Sequence, residues 1–272
     1  MVLGIWNLFV IWSLHCGDVS SQYGNIDQMR YAILADIHAN LEALSAVLAD
    51  IARRGGADEY WVLGDIVNYG PDPGACIELL RGLPLLAVYG NHDLAAVGKF
   101  SAAFFNTDAA AALGWTARQL NDSDVGFLQS LPQTIEQEGF TLVHGSPRAL
   151  VTEYLLSIPA ASQNFGVLAT RHALVGHTHI PAVFKLEDSG RVLYLPFTDG
   201  IGLSLGEGRF IVNPGSVGQP RDGDPRASYA VYDNESRIIR LHRVEYDIKA
   251  TRVKMMAANL PPRLAARLEK GL

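Results

Sequence analysis

The sequence predicts an α/β (α+β) domain in which two stacked β-sheets are covered by helices. Its first half alternates strand-type and helix-type segments, and its second half, from about residue 172, consists largely of strand-type segments. With 272 residues, of which 49% are hydrophobic and 18% charged, the chain is long and apolar enough to bury a substantial core. The sequence has no internal repeat and no obvious linker, so we expect one large domain.

The first half of the chain has the pattern of a strand–helix–strand–helix–strand unit. Tyr31–Asp36 is a short apolar run bounded by polar residues, which is typical of a buried strand. Asn40 is suited to cap the next helix, whose apolar residues fall at helical spacing. The remaining elements are a strand at 60–63, a helix at about 75–80 and a strand at 85–89. This order predicts a largely parallel sheet with right-handed crossovers.

The rest of the chain adds a helical insert, a group of strands and a helical tail. Residues 94–131 are helix-like, residues 133–143 resemble two short strands, and residues 146–164 are expected to be irregular. The later strands are expected at 172–176, 182–187, 191–195, 209–212, 227–233 and 236–243. A basic amphipathic segment, interrupted by two consecutive prolines, predicts a C-terminal helical tail over 247–272.

Composition argues against several classes of protein. A formal net charge of −6 and an isoelectric point of about 5.7 argue against a general nucleic-acid-binding protein, which normally carries a basic stripe. The two cysteines, Cys16 and Cys76, form neither a disulfide framework nor a zinc-finger pattern, and they fit a reducing compartment. We therefore expect a cytoplasmic protein with no stable nucleic-acid partner and no membrane span.

Residues 1–28 differ from the rest and form an N-terminal extension to a domain at 29–246. The apolar run at 2–14 is too short to span a bilayer comfortably. A secretory signal begins with a basic region, but no Lys or Arg precedes Arg30. Met29 directly opens the first strand pattern. We expect translation to begin at Met29; the alternative is an export or anchoring segment.

Five polar clusters follow strand-type segments. They are ADIHAN at 35–40, LGDIVN at 63–68, YGNHD at 89–93, LVHGSP at 142–147 and VGHTH at 175–179. Open α/β sheets bind ligands at the carboxyl ends of their strands, so the five clusters are expected to meet at one rim. In an extended strand, residues i and i+2 project to the same side, which predicts that His177 and His179 both face this rim.

Each cluster taken alone has a structural explanation. The aspartates fit helix caps and turns, and His144 fits a buried structural histidine. Five of the eight histidines lie in the clusters. The other three have structural explanations: His15 as a residue of the tail, His172 as a strand residue and His242 as a surface residue. So many acids and imidazoles buried together would be costly without partners, and metal coordination removes that cost.

The clusters supply more ligands than one ion needs. The candidate ligands are Asp36, His38, Asp65, Asn91, His144, His177 and His179. Seven N and O ligands exceed the four of a tetrahedral zinc site, and no thiolate contributes. This donor set indicates two divalent ions drawn from Mn, Fe, Zn, Co and Ni, with Mn or Fe favoured. Two ions about 3.5–4 Å apart would share a carboxylate and activate a water.

The motif order D-x-H, G-D, G-N-H-D, H-G and G-H-x-H resembles the calcineurin-like metallophosphoesterase superfamily over about residues 29–245. The resemblance implies a four-layer αββα sandwich of two mixed β-sheets flanked by helices, with a dinuclear centre at its rim. It assigns Asp36, His38 and His179 to one ion, Asn91, His144 and His177 to the other, and Asp65 to both. It further implies attack by a metal-bridging hydroxide, with His92 as the general acid.

Departures from the family pattern narrow the expected substrate. The segment GDIVNYGPDPG lacks the aspartate and arginine found after G-D in the Ser/Thr phosphatases, and GNHD ends without their glutamate. The chain is more similar to the small prokaryotic phosphodiesterase-type branch, so we expect a small or nucleotide-like phosphodiester. The alternative substrates are a phosphomonoester or phosphoprotein and a dinucleoside polyphosphate. A further alternative is that the protein is a non-catalytic scaffold.

Further residues are candidates for substrate contact or support. Asn68 and Arg221 are expected to contact the substrate, and Arg226 is a second arginine that could meet a phosphate. Asp93 is expected either to support His92 during catalysis or to cap the next helix. The insert at 94–131 follows GNHD directly and is placed to roof the site. Its aromatic residues are expected in the core, and exposure of one or two would favour a nucleotide substrate; they are Phe100, Phe104, Phe105 and Trp115.

Overall fold

The computed structural model of the protein describes residues 28–272, so the predicted extension lies outside the described residues except for Gln28. Strand β1 (Arg30–Leu34) shows how the core is organised, because its alternate side chains enter two different apolar layers. Ile33 packs between two sheets, and Leu34 packs into the layer that contains the first helices. Both faces of the strand are therefore buried, as its continuous apolar sequence predicts.

The first sheet joins the predicted parallel unit to antiparallel strands from the second half of the chain. Strand β1 pairs in parallel with β2 (Glu59–Val62), which pairs in parallel with β3 (Leu85–Ala87). The antiparallel strands on the other side of β1 are β11 (Ala227–Asp233), β12 (Ile238–Val244) and β9 (Gly202–Ser204). The order β3-β2-β1-β11-β12-β9 makes this sheet mixed, as the family resemblance implies.

The second sheet is also mixed and six-stranded. Its strands are β4 (Thr134–Gln137), β5 (Phe140–Val143), β6 (His172–Leu174), β7 (Ala182–Leu186), β8 (Val192–Leu195) and β10 (Arg209–Asn213). They lie in the order β4-β5-β6-β10-β7-β8, with β5, β6 and β10 parallel to one another. Phe140 and Phe210 face Ile33 and Trp61 of the first sheet in a shared apolar layer.

Helices cover the outer faces of both sheets and complete the four-layer αββα sandwich. On the first sheet lie α1 (Leu41–Arg53) and α2 (Pro73–Arg81), and on the second sheet lies α6 (Ile158–Val167). The insert forms α3 (Asn91–Ala96), a 3-10 turn (Ala102–Phe104), α4 (Thr107–Gln119) and α5 (Asp122–Ser130). The tail forms α7 (Ile248–Ala257) and α8 (Pro262–Leu268), which are separated at the two prolines as expected.

Two local predictions were wrong, and one strand was missed. Helix α6 lies partly in the segment expected to be irregular, because Ser157 caps it and Pro159 occupies its first turn, where a proline is tolerated. Strand β9 was not predicted; it is a three-residue edge strand in a glycine-containing loop. His242 is buried rather than on the surface, because β12 lies inside its sheet and the imidazole packs 5.1 Å from the Tyr229 ring.

The helical tail packs against the insert. Leu264 and Leu268 of α8 share an apolar cluster with Ala109 and Ala112 of α4, and Tyr69 belongs to the same cluster. Within residues 28–272, no helix is long and apolar enough to cross a membrane. The expected cytoplasmic location and the division into extension, domain and tail stay predictions.

Candidate metal centre and active site

The five polar clusters meet where strands of both sheets end. The backbone there is unusual, because five candidate ligands have positive φ angles between 49° and 65°: Asp36, His38, Asp65, His177 and His179. Residues with a Cβ rarely adopt this left-handed region, and they keep it where surrounding contacts fix them. The strand geometry expected for the two histidines of the GHTH motif was therefore wrong. Strand β6 ends at Leu174, and the chain turns at both histidines.

Backbone hydrogen bonds join these loops to one another. The amide of His38 donates to the carbonyl oxygen of Asp65 at 2.9 Å, which ties the first loop to the second. The amide of Gly176 donates to the carbonyl oxygen of His144 at 2.8 Å, which ties the last two loops together. The side chain of Asn213 donates to the Gly176 carbonyl oxygen at 2.7 Å. The unusual loop conformations are thus fixed from several elements.

One group of candidate ligands consists of Asp36, His38, Asp65 and His179, whose ligand atoms all lie within 4.8 Å of one another. The Nε2 atoms of His38 and His179 are 3.1 Å apart. His179 Nε2 lies 3.5 Å from Asp36 Oδ1, and His38 Nε2 lies 3.8 Å from Asp65 Oδ2. All four side chains are buried.

A second group consists of Asp65, His144 and His177, again with ligand atoms within 4.8 Å of one another. His144 Nε2 lies 3.0 Å from His177 Nδ1 and 3.2 Å from Asp65 Oδ2. Asn91 joins this group, since its Oδ1 lies 3.1 Å from His144 Nε2. Asp65 Oδ2 is common to both groups, which is the position that a shared carboxylate requires.

The imidazoles of three candidate ligands are oriented by backbone carbonyl groups. The Nδ1 atoms of His38, His144 and His179 face the carbonyl oxygens of Val67, Leu63 and Gln219 at 3.3, 2.8 and 2.6 Å. A carbonyl oxygen only accepts hydrogen bonds, so each Nδ1 carries a proton. In the neutral imidazole this leaves a lone pair on Nε2, the arrangement found in metal-ligating histidines. Two facing lone pairs, as in His38 and His179, cannot hydrogen-bond to each other.

The carboxylates of the site lack the partners that burial demands. Asp36 Oδ2 and Asp65 Oδ2 have no hydrogen-bond partner among the described residues. Burial and, less strongly, the Asp65 carboxylate raise the pKa of Asp36 to about 7. Burial lowers the pKa of His144, but the Asp65 carboxylate outweighs it and raises that pKa to about 9. Orphan carboxylate oxygens beside imidazole nitrogens fit divalent cations, which would supply the missing partners.

His92 lies beside the two groups, and Asn68 holds it. The side-chain nitrogen of Asn68 is 2.6 Å from His92 Nδ1, and His92 Nε2 is 3.9 Å from Asp65 Oδ2. Because the amide nitrogen can only donate, a neutral His92 carries its proton on Nε2, the nitrogen on the side of Asp65. Burial, as the main cause, lowers the pKa of His92 to about 4. Asn68 is itself fully buried, so its predicted contact with substrate stays a prediction.

Asp93 takes the capping role rather than supporting His92 directly. Its Oδ2 accepts from the amide of Gly90 at 2.9 Å, which caps α3, and its Oδ1 accepts from the amides of Ile66 and Val67 at 2.8 and 3.1 Å. These three bonds join the second and third loops. The imidazole of His92 instead finds its partner in Asn68.

The two candidate arginines differ in their surroundings. The Arg221 amide donates to the His179 carbonyl oxygen at 3.3 Å, and its guanidinium lies 5.9 Å from the centre of the Tyr69 ring. That ring in turn contacts His92, with ring centres 4.7 Å apart, so Arg221 adjoins the site. Arg226 forms ion pairs with Asp199 and Asp224 and is already neutralised.

A pocket of about 240 Å³ opens over His92 and Asn91, and it has aromatic walls. The insert contributes Phe100, Phe104 and Phe105 to these walls, so the expectation that all its aromatic residues lie in the core was wrong. Phe104 is 78% exposed, whereas Trp115 is packed in the cluster of α4 and α8.

Two tyrosines of this pocket were missed in the sequence. Tyr154 is 51% exposed and stacks on the His177 imidazole with ring centres 4.0 Å apart, and Tyr69 lies beside His38 and His92. Tyr69 directly follows Asn68 in the second cluster, which is a signal that sequence reasoning could have used. Tyr154 lies in the segment expected to be irregular, and no spacing pattern distinguishes it.

Known proteins show the same fold with similar sequences. A crystal structure of a metallophosphoesterase from Sphaerobacter thermophilus matches with a TM-score of 0.82 and 44% identity, over 90% of this chain and all of that one. An uncharacterised protein of Methanocaldococcus jannaschii is 41% identical over 88% of this chain and 97% of its own length. The structure of a hypothetical protein from Pyrococcus horikoshii matches with a TM-score of 0.74 at 22% identity, which supports the fold alone.

A shorter similarity links the chain to an enzyme with a named substrate. The symmetrical bis(5'-nucleosyl)-tetraphosphatase of Pseudomonas fluorescens is 38% identical over 66 residues, which is 24% of this chain and 22% of that enzyme. The family model of the calcineurin-like phosphoesterase superfamily domain matches residues 29–237, which is most of the chain. Together with the fold and the grouped Asp and His side chains, this match shows that the chain belongs to the calcineurin-like phosphoesterase superfamily.

Proposed function

We propose that this protein is a phosphodiesterase that uses two divalent ions, with Mn or Fe favoured, to hydrolyse a small, nucleotide-containing phosphate ester. The observation that carries the proposal is the orphaned pair of carboxylate oxygens, Asp36 Oδ2 and Asp65 Oδ2, beside imidazole nitrogens with free lone pairs. The residues would divide into Asp36, His38 and His179 for one ion, Asn91, His144 and His177 for the other, and Asp65 for both. Bound ions would polarise the phosphoryl group and lower the pKa of a water molecule.

His92 acts as the proton donor in this proposal. Asn68 donates to its Nδ1 and keeps the proton on Nε2, from where it can pass to the leaving-group oxygen of the ester while a solvent water returns a proton to the imidazole. Asn68 is then a positioning residue, and Asp93 keeps the loop in place through backbone amides. Arg221 contacts a phosphate oxygen of the substrate, because a guanidinium offers paired donors of matching geometry.

The aromatic pocket supports a nucleotide as the substrate. Phe104 is exposed, so a planar group of the substrate could cover its ring, and bases stack on aromatic side chains with about 1–3 kcal/mol each. Phe104 lines one part of the pocket, and Tyr154 stacks on the candidate ligand His177. A base in this pocket would therefore lie next to the reacting phosphate.

The proposal is tested by metal analysis of the purified protein together with a metal-by-substrate screen. We expect about two ions per chain and hydrolysis of bis-p-nitrophenyl phosphate in preference to p-nitrophenyl phosphate. The p-nitrophenyl ester of thymidine 5'-monophosphate should be preferred over methyl p-nitrophenyl phosphate, which has the same leaving group and no base. Negligible diester hydrolysis with every metal would contradict the proposal. Preference for the monoester would indicate the phosphomonoesterase alternative, and the absence of any hydrolysis would indicate a scaffold.

A further inference from the structure

His177 differs from the other candidate ligand histidines in how its imidazole is held. His38, His144 and His179 turn Nε2 toward the ligand groups, and a backbone carbonyl oxygen fixes the Nδ1 of each. His177 instead turns Nδ1 toward His144 Nε2, at 3.0 Å. Within residues 28–272, no hydrogen bond reaches its Nε2. The His177 imidazole therefore lacks the bond that orients the other three.

The ring of Tyr154 lies where such an orienting contact is needed. Its centre is 4.0 Å from the centre of the His177 imidazole, and the two planes are inclined by 29°, which is a stacked arrangement. The terminal torsion of a histidine side chain has broad, roughly twofold preferences, so a stacked ring restricts the imidazole to one plane. An imidazole bound to a divalent cation also takes up part of the positive charge, which the face of a tyrosine ring attracts.

The segment that carries Tyr154 is fixed on both sides of this residue. Glu153 accepts hydrogen bonds from three side chains, those of Ser146, Arg148 and Asn164. Leu155 is buried in the apolar cluster between α6 and the second sheet. The Tyr154 hydroxyl forms no hydrogen bond to any described residue, so the ring itself makes the contact with His177. A fixed segment thus presents an aromatic face to a candidate metal ligand.

We infer that Tyr154 is a positioning residue that sets the affinity of the second ion, which is assigned to Asn91, His144 and His177 together with Asp65. The ring acts through the His177 imidazole and does not itself bind the ion. The inference rests on the proposed function, because it uses the division of the ligands between two ions. It predicts that loss of this one ring weakens the second ion and leaves the first ion unchanged.

The test is equilibrium dialysis of the full chain against a series of free Mn²⁺ concentrations, with the bound metal counted by elemental analysis. Wild type should approach about two ions per chain. In Tyr154→Ala, the first ion should bind as in wild type. The second ion should need about 10- to 100-fold more free Mn²⁺, as is typical when a residue that orients a metal ligand is removed.

Two control variants make the result specific to the stacked ring. Tyr154→Phe keeps the ring and loses only the hydroxyl, so it should bind both ions as wild type does. Tyr194→Ala removes a half-exposed tyrosine from β8, where its ring contacts Phe184, and it should leave both affinities unchanged. If Tyr154→Ala gives no cooperative thermal melt, Tyr154→Leu, which lacks an aromatic face, decides the question. An unchanged second affinity in the variant that folds, or equal weakening of both ions, would overturn the inference.

A double-mutant cycle tests whether the ring acts through His177. His177→Asn keeps a ligand oxygen but removes the imidazole, so the second ion should bind more weakly. Adding Tyr154→Ala to this variant should then change the second affinity by less than about twofold, because the two changes remove the same contact. A further loss as large as the one that Tyr154→Ala causes in wild type would contradict the positioning role.

The dialysis also separates this inference from the proposed function, because it needs no turnover. A second ion that depends on Tyr154, in a protein without diesterase activity, would contradict only the proposed function. Diesterase activity with two ions whose affinities do not depend on Tyr154 would contradict only the positioning role. The ring would then serve the substrate alone. Binding of a single ion by wild type would contradict both.

Discussion

Two buried aspartates in this protein have opposite environments. Asp50 of α1 accepts hydrogen bonds from the Tyr229 hydroxyl and from Arg54 at 2.7 Å each, and from Arg53 at 2.9 Å. Burial alone would raise the pKa of Asp50, but these three donors outweigh it and lower that pKa. Asp65 at the rim instead leaves Oδ2 without a hydrogen-bond partner among the described residues, although three imidazoles lie within 3.9 Å of it.

The difference separates a group that stabilises the fold from one that prepares a site. The Asp50 cluster is complete without any ligand, so its interactions contribute to the free energy of unfolding. The rim is incomplete, so part of its stability depends on what it binds. A buried charge by itself therefore indicates little, and the presence or absence of partners on each oxygen distinguishes the two roles.

The largest effect that would test this comparison is the loss of activity in Asp65→Asn. Asp65 is the one carboxylate shared by both ligand groups, and the amide that replaces it carries no negative charge to offer two ions. Lewis-acid stabilisation worth several kcal/mol then disappears, so we expect kcat/KM for bis-p-nitrophenyl phosphate to fall by on the order of 10³-fold or more. The metal content should fall below two ions per chain by elemental analysis.

Asp50→Asn is the matched control for this variant. It makes the same chemical change at the other buried aspartate, and it should keep both ions and a kcat/KM within about threefold of wild type. Equal losses of activity in the two variants would show that the contrast between a rim site and a structural cluster is wrong.

The second effect concerns His92, which belongs to the rim but to neither ligand group. His92→Ala removes the proposed proton donor and leaves the candidate ligands in place, so we expect kcat to fall about 10²- to 10⁴-fold with an unchanged metal count. Steady-state kinetics and elemental analysis of the same preparation measure both quantities. If His92→Ala kept full turnover, or if it lost its ions, His92 would not be the acid.

Much of the candidate site could be predicted from the sequence, because ligand types placed after strands are a local pattern. The seven candidate ligands come together as the motifs suggest, apart from the geometry of His177 and His179. That error arose because their positive φ angles depend on contacts with other loops, such as the bond between His144 and Gly176. A strand pattern contains no information on where a strand stops and turns.

The surroundings of the site could not be predicted, because they arise from contacts between distant segments. Tyr154 stacks on His177 from a loop of the second sheet, and Leu264 and Leu268 of the tail pack in the same apolar cluster as Tyr69. Phe104 was expected in the core because aromatic residues usually are, yet the 3-10 turn that carries it leaves it exposed. Helix α6 was missed because a proline in the first turn resembles a break when only the sequence is known.

The smallest effect that we predict is the stability contribution of Asp50 and its pH dependence. Asp50→Asn removes the charge that Arg53, Arg54 and the Tyr229 hydroxyl complement, so we expect about 1–2 kcal/mol less stability at pH 7. Because the folded pKa of Asp50 lies below its unfolded value of about 3.9, its contribution is fully present above that value. It is lost as the pH falls through the folded pKa, where wild type and variant should become equally stable.

Urea unfolding of both proteins at pH 7, 5 and 3, without metal, measures this difference. Asp188→Asn, at an exposed position, should have the same free energy of unfolding as wild type at each of these pH values. If the difference in the free energy of unfolding between wild type and Asp50→Asn stayed constant from pH 7 to pH 3, the carboxylate charge would not be what stabilises α1 against β11. The hydrogen-bonded shape of the side chain would then be responsible, and the contrast with the rim would concern geometry instead of charge.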